Sequence, residues 1–250
     1  SPRPAPSRHR LVELTVPQLL LISNSTNPGE GYLDHCEDEV RAVVPSTGRL
    51  VFVPWALADL DGYGEQAEDR FRRMGIDAVS LHRVDRPRVE VAEAAAFFVG
   101  GGNTFRLVDR LARLDLLGPI REAVAGGAVY LGASAGANLA CPTIATTNDM
   151  PIVEPPSFEA LGLIPFQINA HYADRDPDVA HGGETREQRI AEFHEEHDRP
   201  VVGLREGSML RIDGSSVRLL GPRPCRVFRR GRPPEEVEAG VSLEGLLGAD

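Results

Sequence analysis

Cysteine is scarce in this 250-residue chain: there are three, Cys36, Cys141 and Cys225, with no C-x-x-C pair. Such an odd, scattered set excludes a disulfide framework and a thiolate zinc site, and it points to a reducing compartment. No run of about 18 apolar residues occurs, so a transmembrane helix is not expected. Positive charge is also in deficit. With 27 basic against 37 acidic residues the formal charge is −10, which argues against a nucleic-acid or anionic membrane surface as partner. The opening SPRPAPSRHR lacks an apolar core and so does not read as a signal peptide. Residues 1–16 are expected to be a disordered lead-in, and the expected address is cytoplasmic. No repeat and no interdomain linker interrupt residues 17–230, which are expected to form one α/β domain. Residues 231–250, rich in Pro, Glu and Gly, read as a poorly determined C-terminal tail.

What the chain does contain is a regular alternation. Apolar runs at 18–23, 49–54, 77–82, 95–99 and 129–131 read as buried strands. Between them, helices are expected near 32–44, 63–74, 104–116 and 119–125. Uninterrupted apolar strands alternating with helices predict a mostly parallel central sheet covered on both faces, a three-layer αβα sandwich. In such sheets the active crevice lies beyond the carboxyl ends of the strands. Further on, 164–170 is a candidate strand and 185–197 a charged helix. Short strands at 200–204, 209–212, 217–220 and 226–228 predict an antiparallel finish to the sheet.

The stretch from Val129 to Pro151 concentrates the chemistry. Strand, Gly132-Ala133-Ser134-Ala135-Gly136, then a helix-compatible segment is the context in which G-x-S-x-G forms a nucleophile elbow. The turn must lift one hydroxyl above the sheet, so its flanks must be small enough for close helix-strand approach. Ser134 is therefore the candidate nucleophile. One strand earlier, Gly100-Gly101-Gly102-Asn103-Thr104 also lies between a strand and a helix, without the spacing of a phosphate or dinucleotide loop. Its exposed N–H groups suit an oxyanion hole made by Gly101 or Gly102 together with Ala135.

A serine hydroxyl needs a base, and the base needs an orienting acid. Of the seven histidines, His171 ends a candidate strand at the carboxyl edge of the sheet, and His181 in a Gly-flanked loop is its rival. His194 and His197 stand three apart with no further ligand motif, so a solvated helix face is expected there rather than a metal site. Asp149, in a loop on the elbow side, can orient His171. Glu206, just after the strand at 200–204, is the alternative acid.

Four segments taken in order, GGGNTF (100–105), GASAGANLACPTIATTNDMPIV (132–153), QINAH (167–171) and GETREQRI (183–190), resemble the peptidase E family. These are α-aspartyl dipeptidases of the serine-peptidase group that share their fold with class I glutamine amidotransferases, and the resemblance runs over about residues 19–228. It implies a metal- and cofactor-independent serine dipeptidase acting on Asp-X substrates through an acyl-enzyme. By that resemblance Ser134 is nucleophile, His171 general base and Asp149 charge-relay acid, with Glu206 able to take the same role. Arg186 matches the family's substrate arginine, because a substrate carboxylate in an acidic protein needs a fixed cation. Asn103 is assigned with it to substrate binding, and Arg175 is a weaker second cation. Ala133 stands where the family's elbow often carries Trp, and Ala170 and Tyr172 replace Pro and Phe beside the histidine. Loss of that aromatic would widen the pocket. The expected partner is a small peptide, and a homodimer is compatible with it. The rival readings are a cyanophycinase-like peptidase on aspartate-rich polymers and a non-catalytic binding protein on the same fold. A glutamine amidotransferase is disfavoured, since the elbow carries Ser and Cys141 lies seven residues later.

Overall fold

Strands form where the apolar runs predict them: β1 (Gln18–Ile22), β2 (Leu50–Val53), β3 (Ala78–Ser80), β4 (Ala96–Val99) and β5 (Val129–Ala133). The computed structural model describes residues 17–174 and 183–247; the expected lead-in, Arg175 and His181 lie outside the described residues. The five strands pair in parallel in the order β3-β2-β4-β5-β1. Strand alternation divides their side chains between two faces. Leu20, Ile22, Phe52, Phe98 and Leu131 pack on one side against α1 (Glu37–Val43) and α2 (Leu60–Arg73). Leu19, Leu21, Val51, Phe97 and Tyr130 pack on the other against α4 (Thr104–Arg113), α5 (Leu117–Ala125) and α6 (Ala135–Leu139). The result is the expected three-layer α/β arrangement with a mostly parallel sheet.

The helices depart from expectation mainly at their starts. Over 32–44 the chain makes a 3-10 turn at Asp34–Cys36 before α1, with Leu33 left-handed at φ 61°. The helix expected from residue 63 begins at Leu60, because the Asp59 carboxylate caps it by accepting the Gly62 N–H at 3.0 Å. A short helix, α3 (Pro87–Glu93), was not expected; Pro87 starts it and only Val91 is buried along it, so its apolar periodicity is faint.

The later strands do not all finish the central sheet. Only β8 (Met209–Asp213) and β9 (Ser216–Leu220) extend it, antiparallel, with β8 beside β1. A second sheet has the order β11-β10-β7-β6. It contains β6 (Gln167–Ala170), β7 (Val201–Leu204), β10 (Cys225–Phe228) and β11 (Glu235–Val237). In it β6 and β7 run parallel, and α7 (Arg186–Glu196) lies between them in the chain. The segment after residue 230 contributes β11, and Val237, Leu243 and Leu246 are buried in the core.

The two sheets meet where the chemistry lies. Ser23, at the end of β1, is fully buried and donates its hydroxyl hydrogen to Leu204 C=O at 2.8 Å while receiving the His171 N–H at 3.0 Å. One side chain of the large sheet thereby fastens the ends of β6 and β7.

Candidate active site

Ser134 occupies the turn from β5 into α6 with φ 53° and ψ −108°, a backbone region costly for a residue with a Cβ. Its N–H donates to Ile22 C=O at 2.9 Å, pinning the turn to the end of β1. The motif's glycines are required by contact. A Cβ on Gly132 would lie 2.4 Å from Gly136 O, and one on Gly136 would lie 2.1 Å from Val99 O. The expected elbow is therefore present, with the Ser134 hydroxyl presented at the carboxyl ends of the strands.

His171, at the end of β6, also has positive φ, 54°. Its Nε2 is 2.9 Å from Ser134 Oγ, and its Nδ1 is 2.8 Å from Glu206 Oε1. With Glu206 accepting from Nδ1–H, Nε2 is the free acceptor for the serine hydroxyl. Of the two candidate orienting acids, Asp149 and its alternative Glu206, the geometry brings Glu206 to the imidazole. Asp149 Oδ2 instead accepts the Thr104 N–H at 2.7 Å and the Thr147 hydroxyl at 3.1 Å. The loop 147–149 closes on the start of α4, and no hydrogen bond joins this carboxylate to His171.

The loops carrying His171 and Glu206 are tied down from the end of β1 and the polar loop that follows it. Besides Ser23, Asn24 Oδ1 accepts the Gly207 N–H at 2.7 Å, and Gly207 has φ 81°. Arg205, beside Glu206, forms a two-pronged pair with Asp174 at 2.9 Å and also bonds Glu236. A run of small polar residues, Ser23-Asn24-Ser25-Thr26-Asn27, was the only sequence signal, and without its tertiary partners it looks like any polar loop.

Gly101 abuts Ser134: a Cβ there would lie 3.2 Å from Ser134 Cβ. Gly102 has φ 134°, and a Cβ on it would meet Ala56 O at 2.6 Å. The Gly102 and Ala135 N–H groups have no hydrogen-bond acceptor among the described residues. Tyr63 packs where a Gly100 side chain would be, and burial raises its phenol pKa against the opposing contacts of Tyr32 and the Gly101 N–H.

Asn103 makes two structural hydrogen bonds. Its Oδ1 caps α4 by accepting the Arg106 N–H at 3.0 Å, and its Nδ2 donates to Met150 C=O at 2.8 Å. Arg186 opens α7 and is half-buried. The carboxylates beside it in sequence are paired elsewhere, Glu184 with Arg189 and Glu187 with Arg226, and no described carboxylate lies within ion-pair distance of Arg186. Burial lowers its pKa, the neighbouring Arg189 lowers it further, and the negative charge of Asp149 acts against both. The sequence has no lysine, so a fixed cation here is a guanidinium.

Away from this site, His194 is buried and its Nε2 lies 3.1 Å from Arg199 O, which corrects the expected solvated face at that position. His197 stacks on Phe193 with ring centroids 4.5 Å apart. Cys141 is buried, donates to Ala137 C=O and receives the Ile168 N–H, as a small core residue does. Among the described residues no helix is long and apolar enough to cross a membrane.

The cleft holding Ser134, His171 and Asp149 has a volume of about 420 Å³, and Tyr32, Tyr63 and Gln66 also line it. A model of peptidase family S51 matches residues 19–220. Peptidase E of Streptomyces coelicolor is 54% identical over 229 residues, covering 92% of this chain and 94% of that protein. A Drosophila melanogaster protein named "Probable alpha-aspartyl dipeptidase" is 44% identical over 232 residues, covering 92% and 97%. Among solved structures, a peptidase from an acI-B1 Actinobacterium superposes with a TM-score of 0.70 at 16% identity, covering 92% of this chain and 97% of that one. At that identity the superposition speaks for the fold alone.

Proposed function

The chain belongs to peptidase family S51, and from that premise we propose that it is a serine dipeptidase releasing N-terminal aspartate from Asp-X dipeptides, with Ser134, His171 and Glu206 as its catalytic groups. The observation that carries the proposal is the continuous line from Glu206 Oε1 through the His171 ring to Ser134 Oγ, at 2.8 and 2.9 Å, on a strained elbow.

The chemistry follows from that line. His171 Nε2 takes the Ser134 proton as Oγ bonds to the carbonyl carbon, and Glu206 stabilises the imidazolium that forms. The negative carbonyl oxygen is received by backbone N–H groups of Ala135 and of Gly102 or Gly101, each good donor contributing about 3 kcal/mol. His171 then gives its proton to the leaving amine, the C–N bond breaks, and an aspartyl ester on Ser134 is left. Water, deprotonated by the same Nε2, releases aspartate. Arg186 supplies the guanidinium for the substrate's side-chain carboxylate. The cleft volume is that of a small-ligand site, which favours a dipeptide over a polymer.

The test is amine release from Asp-Leu, Glu-Leu, Ala-Leu and N-acetyl-Asp-Leu, with a folded Ser134→Ala control. Cleavage confined to Asp-Leu and lost in the control is the expected result. Absence of Ser134-dependent cleavage of all four removes the dipeptidase reading and returns the question to aspartate-rich polymers or a non-catalytic role.

A further inference from the structure

We propose that Arg205 is a positioning residue for the pair His171 and Glu206: it clamps the two segments that carry them and is itself held off Glu206 by Asp174 and Glu236. The inference rests on the serine-hydrolase reading and adds to it a reason why Glu206 stays with the imidazole. Arg205 precedes Glu206 directly and reaches the segment of His171. Its Nε and Nη2 donate to the two oxygens of Asp174, three residues beyond His171, each at 2.9 Å. Its guanidinium carbon stands 5.5 Å from the centre of the ring of Tyr172, the residue next to His171. Nη1 donates to Pro224 C=O at 2.7 Å and to Glu236 on β11. One side chain thus joins three segments: that of His171, that of Glu206, and the β10–β11 hairpin. Arg205 does not line the cleft, so its influence on the chemistry passes through the residues that do.

Two physical effects give the clamp its role. The first is competition. An arginine beside a carboxylate in sequence is a ready partner for it, and a two-pronged guanidinium pair is stronger than a single bond from an imidazole. Were Arg205 free, Glu206 could leave His171 for it. The structure engages the guanidinium elsewhere: its side chain is 10% exposed, four hydrogen bonds meet it, and no ion pair joins it to Glu206. Among the described residues Glu206 pairs with His171 alone. The bonds from Arg205 hold the Asp174 carboxyl below the usual carboxylate range, so the pair stays ionised at neutral pH. The second effect is order. The Glu206 side chain is 47% exposed and sits on a turn closed by the Ser208 N–H on Arg205 C=O at 3.1 Å. A half-exposed carboxylate spreads over several rotamers unless its backbone is fixed, and fixing the residue before it raises the share of time spent at His171 Nδ1.

The test is a double-mutant cycle on the full chain, read by kcat for Asp-Leu and by the rate at which an uncharged fluorophosphonate labels Ser134, both per folded molecule. Arg205→Met keeps an unbranched stem and removes the charge. In the wild-type background kcat and labelling should each fall about 10-fold with KM little changed. In a Glu206→Gln background the same substitution should cost less than about twofold, because a residue acting through Glu206 has nothing left to position. Asp174→Asn repeats the cycle from the other end of the pair, at a half-exposed site, and decides alone if Arg205→Met does not fold. Equal losses in the two backgrounds overturn the proposal, since the clamp would then serve the fold or the elbow independently of Glu206. Unchanged labelling in either folded variant overturns it too. A wild type that is labelled but does not cleave Asp-Leu loses the dipeptidase reading and leaves this inference to the labelling rates. A wild type that is not labelled at Ser134 loses the serine-hydrolase reading and this inference with it.

Discussion

The hydroxyl of Ser23 receives the backbone N–H of His171 at 3.0 Å, linking the residue just after the first strand to the histidine that faces Ser134. The same hydroxyl donates to Leu204 C=O, two residues before Glu206. One fully buried side chain therefore sets the heights of His171 and Glu206 relative to the elbow.

Ser23→Ala leaves the His171 N–H without its acceptor, while Leu204 C=O keeps the Tyr172 N–H at 3.1 Å. The expected loss is about 1–3 kcal/mol in unfolding free energy, read from the denaturant midpoint, together with a fall in kcat. Unchanged turnover in the folded variant would mean that β6 and β7 hold His171 without help.

Glu206→Gln keeps the size of the side chain but removes the charge that stabilises the imidazolium. Turnover should fall by about 100-fold with KM little changed; the effect is moderated because the Glu206 side chain is 47% exposed. Steady-state kinetics with Asp-Leu read kcat and KM separately, and a change confined to KM would contradict this role.

Gly136→Ala drives a Cβ to 2.1 Å from Val99 O, against backbone that has no room to yield between β4 and α6. Destabilisation of at least about 3 kcal/mol is expected, with loss of Ser134 labelling. Differential scanning calorimetry and phosphonate labelling would measure the two effects together.

Burial pushes the thiols of Cys36, Cys141 and Cys225 up to about 12 from 9.0. Folded-state values above the unfolded one mean that the folded protein holds protons the unfolded chain releases. Their contribution to stability is complete below pH 9 and is lost as pH rises toward 12. Ellman's reagent at pH 8 should therefore find no accessible thiol in the native protein and three after denaturation, and the melting temperature should drop above pH 9. Rapid native labelling at pH 8 would contradict the burial of at least one.

Local chemistry determined a large part of this molecule. Apolar runs that cannot be solvated on either side must become interior strands, so the parallel core and its two helical layers follow from hydrophobic pattern alone. The elbow was equally legible, because its constraint is local: Gly132 and Gly136 are there to let a helix and a strand touch. His171 was found from its place at a strand end.

Other features depended on chain segments far apart in sequence. Which acid meets His171 was decided by hydrogen bonds between loops that begin on different sheets, Thr104 holding Asp149 and Asn24 holding Gly207 beside Glu206. Asp149 and Glu206 are the same kind of residue in the same kind of loop, and no periodicity separates them. The second sheet was hidden for a related reason. A strand's pattern records which of its faces is buried and says nothing of the neighbour it pairs with, so β7 and β10 read as a continuation of the central sheet until their partners fixed them elsewhere, and β11 lay in a stretch that reads as a tail.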